Sequence, residues 1–236
     1  MKLSVIIPVY NEEKTIAEIT RRVKAVNLKK EIIIVEDGST DMTKEILKEI
    51  VEEKDNGNKI KLISRKKKSG KGEAIRTGLK YVTGDIVIIQ DADLEYNPAD
   101  YHRLIEPIRR KEVSVVYGSR ILDRSSMPKS LSAWCFYLGG KSLTILTNLL
   151  YRIKLTDEPT CYKVFKAELL KSLNLRCTGF EFCPEVTARI AKRGIKIKEI
   201  PIRTTSRTVK EGKKIRLRDW FVAVWTLIKH RFTNSK

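Results

Sequence analysis

Apolar and polar positions along this 236-residue chain change period at short intervals. Residues 3–9 form a continuous β-branched, apolar run, which reads as a strand buried on both faces. Residues 12–26 then repeat apolar positions at helical spacing, with Ile16, Ile19, Val23 and Val26 on one side. The alternation continues: a strand over 31–36, a helix over 41–54 with Asp41 as its N-cap, a strand over 59–64, a helix over 73–82 and a strand over 85–90. Asn97 and Pro98 stand where a cap and a first-turn proline are favoured, so a helix opens there. A fifth strand covers 113–117. This order predicts an α/β chain with a mostly parallel central sheet and helices on both faces.

The second half is less regular. Residues 129–153 predict a long helix, 161–165 a strand, and a short helix follows from Ala167. Pro184 starts another helix that stops at Gly194, and 195–203 alternate as a strand does. After a basic stretch, residues 215–232 predict a last, amphipathic helix. On it Phe221, Val224, Trp225, Ile228 and Phe232 share a face, which either packs on its own domain or lies on a membrane.

Ligands of such sheets bind beyond the carboxyl ends of the strands, and the unusual residues gather there. Tyr10-Asn11-Glu12 follows the first strand, Asp37-Gly38-Ser39 the second, and a basic loop over 66–72 the third. The fourth ends in "QDADLEY", which carries Asp91, Asp93 and Glu95 at alternate positions straight after IVIIQ. Like charges so close raise one another's pKa unless a cation neutralises them. Three oxygen donors suit Mg²⁺ or Mn²⁺ shared with a diphosphate. The bland alternative is an Asx-turn with its acids in solvent. The loop "KKKSGKGEAIRTG" matches neither a Walker A loop nor a dinucleotide fingerprint. It reads either as a solvated charge run or as a phosphate site built from lysines and free amides at a helix start. The fifth strand leads into Gly118-Ser119-Arg120.

Composition narrows the partners. Lys and Arg number 48 against 29 Asp and Glu, a net charge of +19, which suits anionic ligands or anionic lipid. Nucleic acid fits less well, because the acids at the crevice mouth repel polyanions. Four unpaired-looking cysteines indicate a reducing compartment, no signal peptide is evident, and no apolar stretch reaches spanning length. The expectation is a cytoplasmic protein, peripheral on the cytoplasmic face of the cell membrane.

"SVIIPVYNEE", "VEDGSTD", "GKGEAIRTGL" and "DIVIIQDADLEY" together resemble the inverting nucleotide-sugar glycosyltransferases of family 2. "YGSR", "LTDEPTCYKVF", "FEFCPEVTARIAKRGIKIKEIPI" and "RTVKEGKKI" resemble, more narrowly, the polyprenyl-phosphate (dolichyl-phosphate) mannose and glucose synthases. The resemblance implies a GT-A fold over 1–214, with a nucleotide-binding half over 1–120, an acceptor half over 121–214 and the amphipathic helix over 215–236. It implies that Pro8, Tyr10, Glu12, Glu36, Asp37, Lys71, Gly72, Asp91 and Ala92 hold a GDP- or UDP-sugar, and that Asp91, Asp93 and Glu95 hold Mg²⁺ or Mn²⁺. Arg120, Arg207 and Lys213 would meet phosphates of the donor and of a polyprenyl phosphate acceptor. Asp93, Arg120 and Asp157 would be the catalytic residues, Asp157 serving as base if the acceptor is a hydroxyl and as a positioning group if it is a phosphate. Many relatives carry spanning helices that this sequence lacks, so lipid would be reached through surface helices or a membrane protein partner. Glu36 departs from the commoner Asp, and Glu95 stands where some synthases have Gln.

Overall fold

The computed structural model describes residues 1–52, 59–123, 131–205, 214 and 216–233. Seven strands form one sheet: β1 (Leu3–Val9), β2 (Lys30–Glu36), β3 (Lys59–Ser64), β4 (Ile86–Ile89), β5 (Val115–Ser119), β6 (Lys163–Lys166) and β7 (Ile197–Pro201). Their order is β3-β2-β1-β4-β6-β5-β7. All neighbours are parallel except at β6, which runs against both β4 and β5. The strand expected over 161–165 is therefore real, but its reversed direction is not legible from its composition. β1, β2 and β4 are buried along their whole length, as continuous apolar runs in a sheet covered on both faces should be. β3 lies at the edge and alternates.

The helices are α1 (Ile16–Ala25), α2 (Thr43–Glu52), α3 (Lys71–Leu79), α4 (Tyr101–Arg109), α5 (Leu131–Tyr151), α6 (Ala167–Ser172), α7 (Phe182–Lys192) and α8 (Leu217–Phe232). Asn97 caps a single 3-10 turn, Pro98–Asp100, by accepting from Ala99 N, and α4 continues from it. Helix α1 starts four residues later than its periodicity suggests, because Glu12 O accepts from both Thr15 N and Ile16 N and so holds 12–14 in a turn. β5 extends two residues further than expected and takes Gly118 and Ser119 into the sheet, which leaves Arg120 as the first residue past its end.

A second, smaller core joins α5 to α8: Leu143, Ala223 and Leu227 are buried together, with Leu146, Leu150, Tyr151 and Val224 against them. Tyr151 OH donates to Leu227 O at 2.7 Å, and Trp220 Nε1 to Gly139 O at 3.1 Å. The face of α8 that packs is thus Ala223, Thr226 and Leu227. Phe221, Trp225 and Phe232, grouped from the sequence into one apolar face, point outward with 59%, 64% and 79% exposure. The packing face carries a small residue and a threonine, which a search for large apolar positions passes over. Among the described residues no helix is long and apolar enough to cross a membrane.

At the opposite end of the sheet from the strand carboxyl ends, Glu31 ties three segments. It accepts from Lys2 Nζ (2.5 Å), Ser4 Oγ (2.5 Å), Thr83 N (2.7 Å) and Thr83 Oγ1 (2.6 Å). Burial pushes its acid up, but these donors outweigh burial and bring it down from the ordinary 4.5 to about 2. A carboxyl whose folded pKa is depressed adds stability above its unfolded pKa and loses it as pH falls through the folded one. The difference of about 2.5 pH units corresponds to about 3 kcal/mol, lost between roughly pH 4.5 and 2. Glu31→Gln should lower the thermal midpoint at pH 7 and flatten its fall over that window. An unchanged acid branch in a thermal melt series would remove Glu31 from this role.

Candidate active site

The sheet changes direction of growth at β1, with β2 on one side and β4 on the other. The crevice of such a sheet opens above the carboxyl ends of those strands. Three loops close over it. Asp37, 2% exposed, accepts from Ser69 N (3.0 Å) and Gly70 N (2.7 Å), with Arg65 Nε at 3.5 Å. Gly38 has φ +74°, and a Cβ there would meet the Lys67–Lys68 peptide at 2.7 Å. Gly70 has φ +103°, and a Cβ would lie 2.4 Å from Thr178 O; one on Gly72 would lie 2.9 Å from Gly179 O.

These contacts correct one expectation about the basic loop. The amides at the start of α3 are not free: Gly72 N donates to Gly179 O and Glu73 N to Thr178 O, both at 3.0 Å. The glycines serve close backbone approach of the turn over 177–180. That turn was missed from sequence, where "CTGF" carries no charge to draw attention.

Beyond β1, Lys68 Nζ lies 4.0 Å from the centre of the Tyr10 ring. Lys214 Nζ, arriving from just before α8, pairs with Glu12 Oε1 at 2.6 Å and donates to Asn11 O at 3.0 Å. Glu12 also accepts from Thr15 Oγ1 at 2.8 Å. Pro8 pairs with Val35 across β1 and β2, one residue from Glu36. Glu36 is fully buried; its Oε1 holds Ser39 N and its Oε2 has no hydrogen-bond partner among the described residues. Through Ser39 N it shapes the turn after β2. Arg65, Lys68 and Lys214 contact Asp37, Tyr10 and Glu12 here, though only their charge was visible in sequence.

Asp91 continues β4 into the crevice, with Ala92 buried beside it. Lys71, from the start of α3, forms an ion pair with Asp91 Oδ1 and donates to Cys161 Sγ at 3.4 Å. Burial works against the ammonium, yet Asp91 prevails and lifts the Lys71 pKa well above its ordinary value. Asp93 Oδ1 accepts from Glu95 N at 3.0 Å, the Asx-turn that was the bland alternative. Among the described residues no three His, Cys, Asp or Glu side chains form a group that could hold a metal ion alone. The three acids are thus not a closed cage. Their oxygens still fit a hard cation that one or two carboxylates share with a diphosphate, the usual arrangement for Mg²⁺.

Beyond β5, Arg120 and Asp157 form a three-bond pair. Arg120 donates to Asp157 from its backbone N (2.9 Å), Nε (2.7 Å) and NH2 (2.7 Å). Burial alone would raise the Asp157 acid; the guanidinium outweighs it and holds the carboxyl below the ordinary aspartate range. Arg120 keeps 30% of its side chain exposed. Arg207 and Lys213 lie outside the described residues.

A family model described as glycosyl transferase family 2 matches residues 4–173. The UDP-N-acetylglucosamine–dolichyl-phosphate N-acetylglucosaminyltransferase of Methanococcus voltae is 35% identical over 216 residues, covering 84% of this chain and 84% of that protein. The dolichol-phosphate mannosyltransferase of Pyrococcus furiosus is 29% identical over 225 residues, 91% of this chain and 61% of that one. Among solved structures, the glucosyl-3-phosphoglycerate synthase of Mycobacterium tuberculosis in complex with Mn²⁺, UDP and phosphoglyceric acid has the same fold. It aligns with a TM-score of 0.70 at 20% identity, over 100% of this chain and 80% of its own. An acid cluster at the end of β4, loops closed over the β1–β4 crevice and a family match across 4–173 agree: the chain belongs to glycosyl transferase family 2 and is a glycosyltransferase of GT-A fold.

Proposed function

We propose that the enzyme moves a hexose, with inversion, from a GDP- or UDP-sugar to a polyprenyl or dolichyl phosphate at a membrane surface, using Mg²⁺ or Mn²⁺. The observation that carries this reading is the Arg120–Asp157 pair. A carboxyl held below its usual range by a three-bond arginine is a poor proton acceptor, so this position supplies an oriented cation and not a base. A phosphate acceptor, with a second pKa of about 6, is ionised near pH 7 and needs no base. Its oxygen would attack the anomeric carbon in line while the bond to the diphosphate oxygen breaks and the nucleoside diphosphate departs. Asp91 and Asp93 would hold the cation, which neutralises charge growing on that leaving group. Lys71 and Arg120 would meet the phosphates directly. The relatives named for dolichyl phosphate and the UDP complexes of the fold neighbour support the acceptor and donor classes.

The surface supports a lipid-borne acceptor. Trp134, Leu138, Ile145 and Leu149 lie along one exposed side of α5, and Leu217, Phe221, Trp225 and Phe232 along one of α8. Lys141, Arg216, Arg218, Lys229 and Arg231 are exposed on the same two helices. Apolar stripes with basic neighbours suit an anionic bilayer, each cation contributing about 1 kcal/mol near the surface.

One experiment tests both parts. The protein with Mn²⁺ and a panel of nucleotide sugars would be mixed with anionic or zwitterionic vesicles carrying a polyprenyl phosphate or the free polyprenol. Transfer should require the phosphate. Co-sedimentation should need anionic lipid, weaken in high salt and drop at least about threefold in Phe221→Ser/Trp225→Ser. Transfer to the free alcohol in preference to the phosphate would replace this reading with a hydroxyl-directed one.

A further inference from the structure

The stretch over 155–158, which carries Asp157, belongs to no strand or helix, and side chains from other elements hold its backbone. Asn148 of α5 matches both polar groups of Leu155, accepting from its N at 2.9 Å and donating to its O at 2.8 Å. Glu199 of β7 accepts from Thr156 N at 2.8 Å and Asp157 N at 3.1 Å, one carboxylate oxygen for each. Thr144 of α5 accepts from Glu158 N at 3.0 Å. Ser119 Oγ, at the end of β5, lies 2.6 Å from Thr156 Oγ1.

We propose that Glu199 and Asn148 are positioning residues which fix Arg120 at the reacting centre by clamping the backbone over 155–157, which leads into Asp157. The proposal rests on the reading that Arg120 meets the acceptor phosphate. Backbone amides need partners in any protein, and a neutral acceptor would satisfy them. A second carboxylate next to Asp157 is an expensive choice: burial raises the Glu199 acid, and the Asp157 charge adds to that. What a carboxylate gives in return is two charge-assisted bonds in a fixed fork. They hold consecutive amides in one orientation, and with them the oxygens that receive the Arg120 Nε and NH2 groups. Glutamine at 199 can accept only one of the two bonds through its carbonyl and turns an N–H toward the other amide. Asn148 is partly buried and precedes Leu149 of the exposed stripe of α5, so a single helix carries both the outer apolar surface and the clamp.

Two readouts test this. The first is exchange of the Arg120 Nε–H, observed by arginine-selective ¹⁵N NMR and assigned as the signal missing in Arg120→Lys. It should exchange slowly in the wild type and at least about tenfold faster in Glu199→Gln and in Asn148→Ala, as its acceptor loosens. The second is transfer to a polyprenyl phosphate. kcat should fall about 10- to 100-fold in each variant, as a displaced catalytic group predicts, with UDP affinity in Mn²⁺ within about twofold of wild type by calorimetry. Arg120→Lys/Glu199→Gln should be no slower than Arg120→Lys alone, because both act through one group. Independent multiplication of the two losses, or unchanged Nε–H exchange in both single variants, overturns the proposal. Should Glu199→Gln fail to fold, Asn148→Ala decides alone. If the wild type transfers to no phosphate acceptor, the reading of the acceptor fails, and the exchange rates still decide whether the clamp exists.

Discussion

Arg120→Lys should lower sugar transfer to a polyprenyl phosphate about 100-fold or more while changing UDP binding in Mn²⁺ by less than about threefold. The charge survives this substitution; the geometry does not. Arg120 uses its backbone N, Nε and Nη2 on Asp157, and 30% of its side chain stays exposed. Lysine offers one ammonium, which cannot hold two carboxylate oxygens in a fork and also present a fixed donor to a phosphate. Losing one preorganised donor of this kind typically costs 10²- to 10³-fold. Asp157→Asn should give a similar loss by a different route, since the side chain keeps its size but turns an amide toward the guanidinium. Breaking a buried pair also costs stability. With Arg120 partly solvated the cost should be about 2 kcal/mol, or about 4–8 °C in thermal midpoint for a domain of this size. The measurements are steady-state transfer with phosphate and free-alcohol acceptors, calorimetry with UDP, and a thermal melt. Full activity of Asp157→Asn on the phosphate acceptor would remove the pair from the reacting centre. Loss confined to the alcohol acceptor would make Asp157 a base after all.

Much of the framework was legible because its signals are local. Continuous β-branched runs marked β1, β2 and β4, and helical spacing marked α1 and α2, since a period of 2 or 3.6 is a property of one segment. The acids after β4 stood out for the same reason. What sequence hid depends on contacts between distant segments. The basic loop with Gly70 and Gly72 read either as a solvated charge run or as a phosphate site with free amides, and only the approach of Thr178 and Gly179, more than a hundred residues away, reveals that the Gly72 and Glu73 amides are occupied. Arg120 and Asp157 were each singled out, but nothing in a single chain says that one spends its donors on the other. Glu199 sits in an alternating strand and reads as an ordinary solvent-side position. The outward turn of Trp225 on α8 was equally hidden, because Ala223 and Thr226 form the buried side and carry little apolar weight.

Asp91→Asn should nearly abolish transfer and, unusually for a substitution at the mouth of a crevice, also destabilise the protein. In the wild type the Asp91 charge keeps the mostly buried Lys71 ammonium in its charged form against the cost of burial. Remove it, and a cation is left without its carboxylate among Cys161 and Phe180. Breaking one side of a buried pair generally costs about 3–5 kcal/mol; with about a fifth of each side chain exposed, about 3 kcal/mol is the fitting expectation. Lys71→Met should cost less in stability, because the carboxylate it frees lies toward the crevice, where water and a divalent cation can reach it. The double variant Lys71→Met/Asp91→Asn removes both charges and should recover most of the stability lost in Asp91→Asn, a coupling of at least about 1 kcal/mol. Transfer should stay abolished in it, since both side chains proposed to meet the cation and the phosphates would be gone. Thermal melts of the three variants measure the coupling. Calorimetry with UDP, with and without Mn²⁺, measures the site: wild-type binding should strengthen with Mn²⁺, and that gain should vanish in Asp91→Asn. An Asp91→Asn protein that melts like wild type and still binds UDP more tightly with Mn²⁺ would move the donor site away from the end of β4.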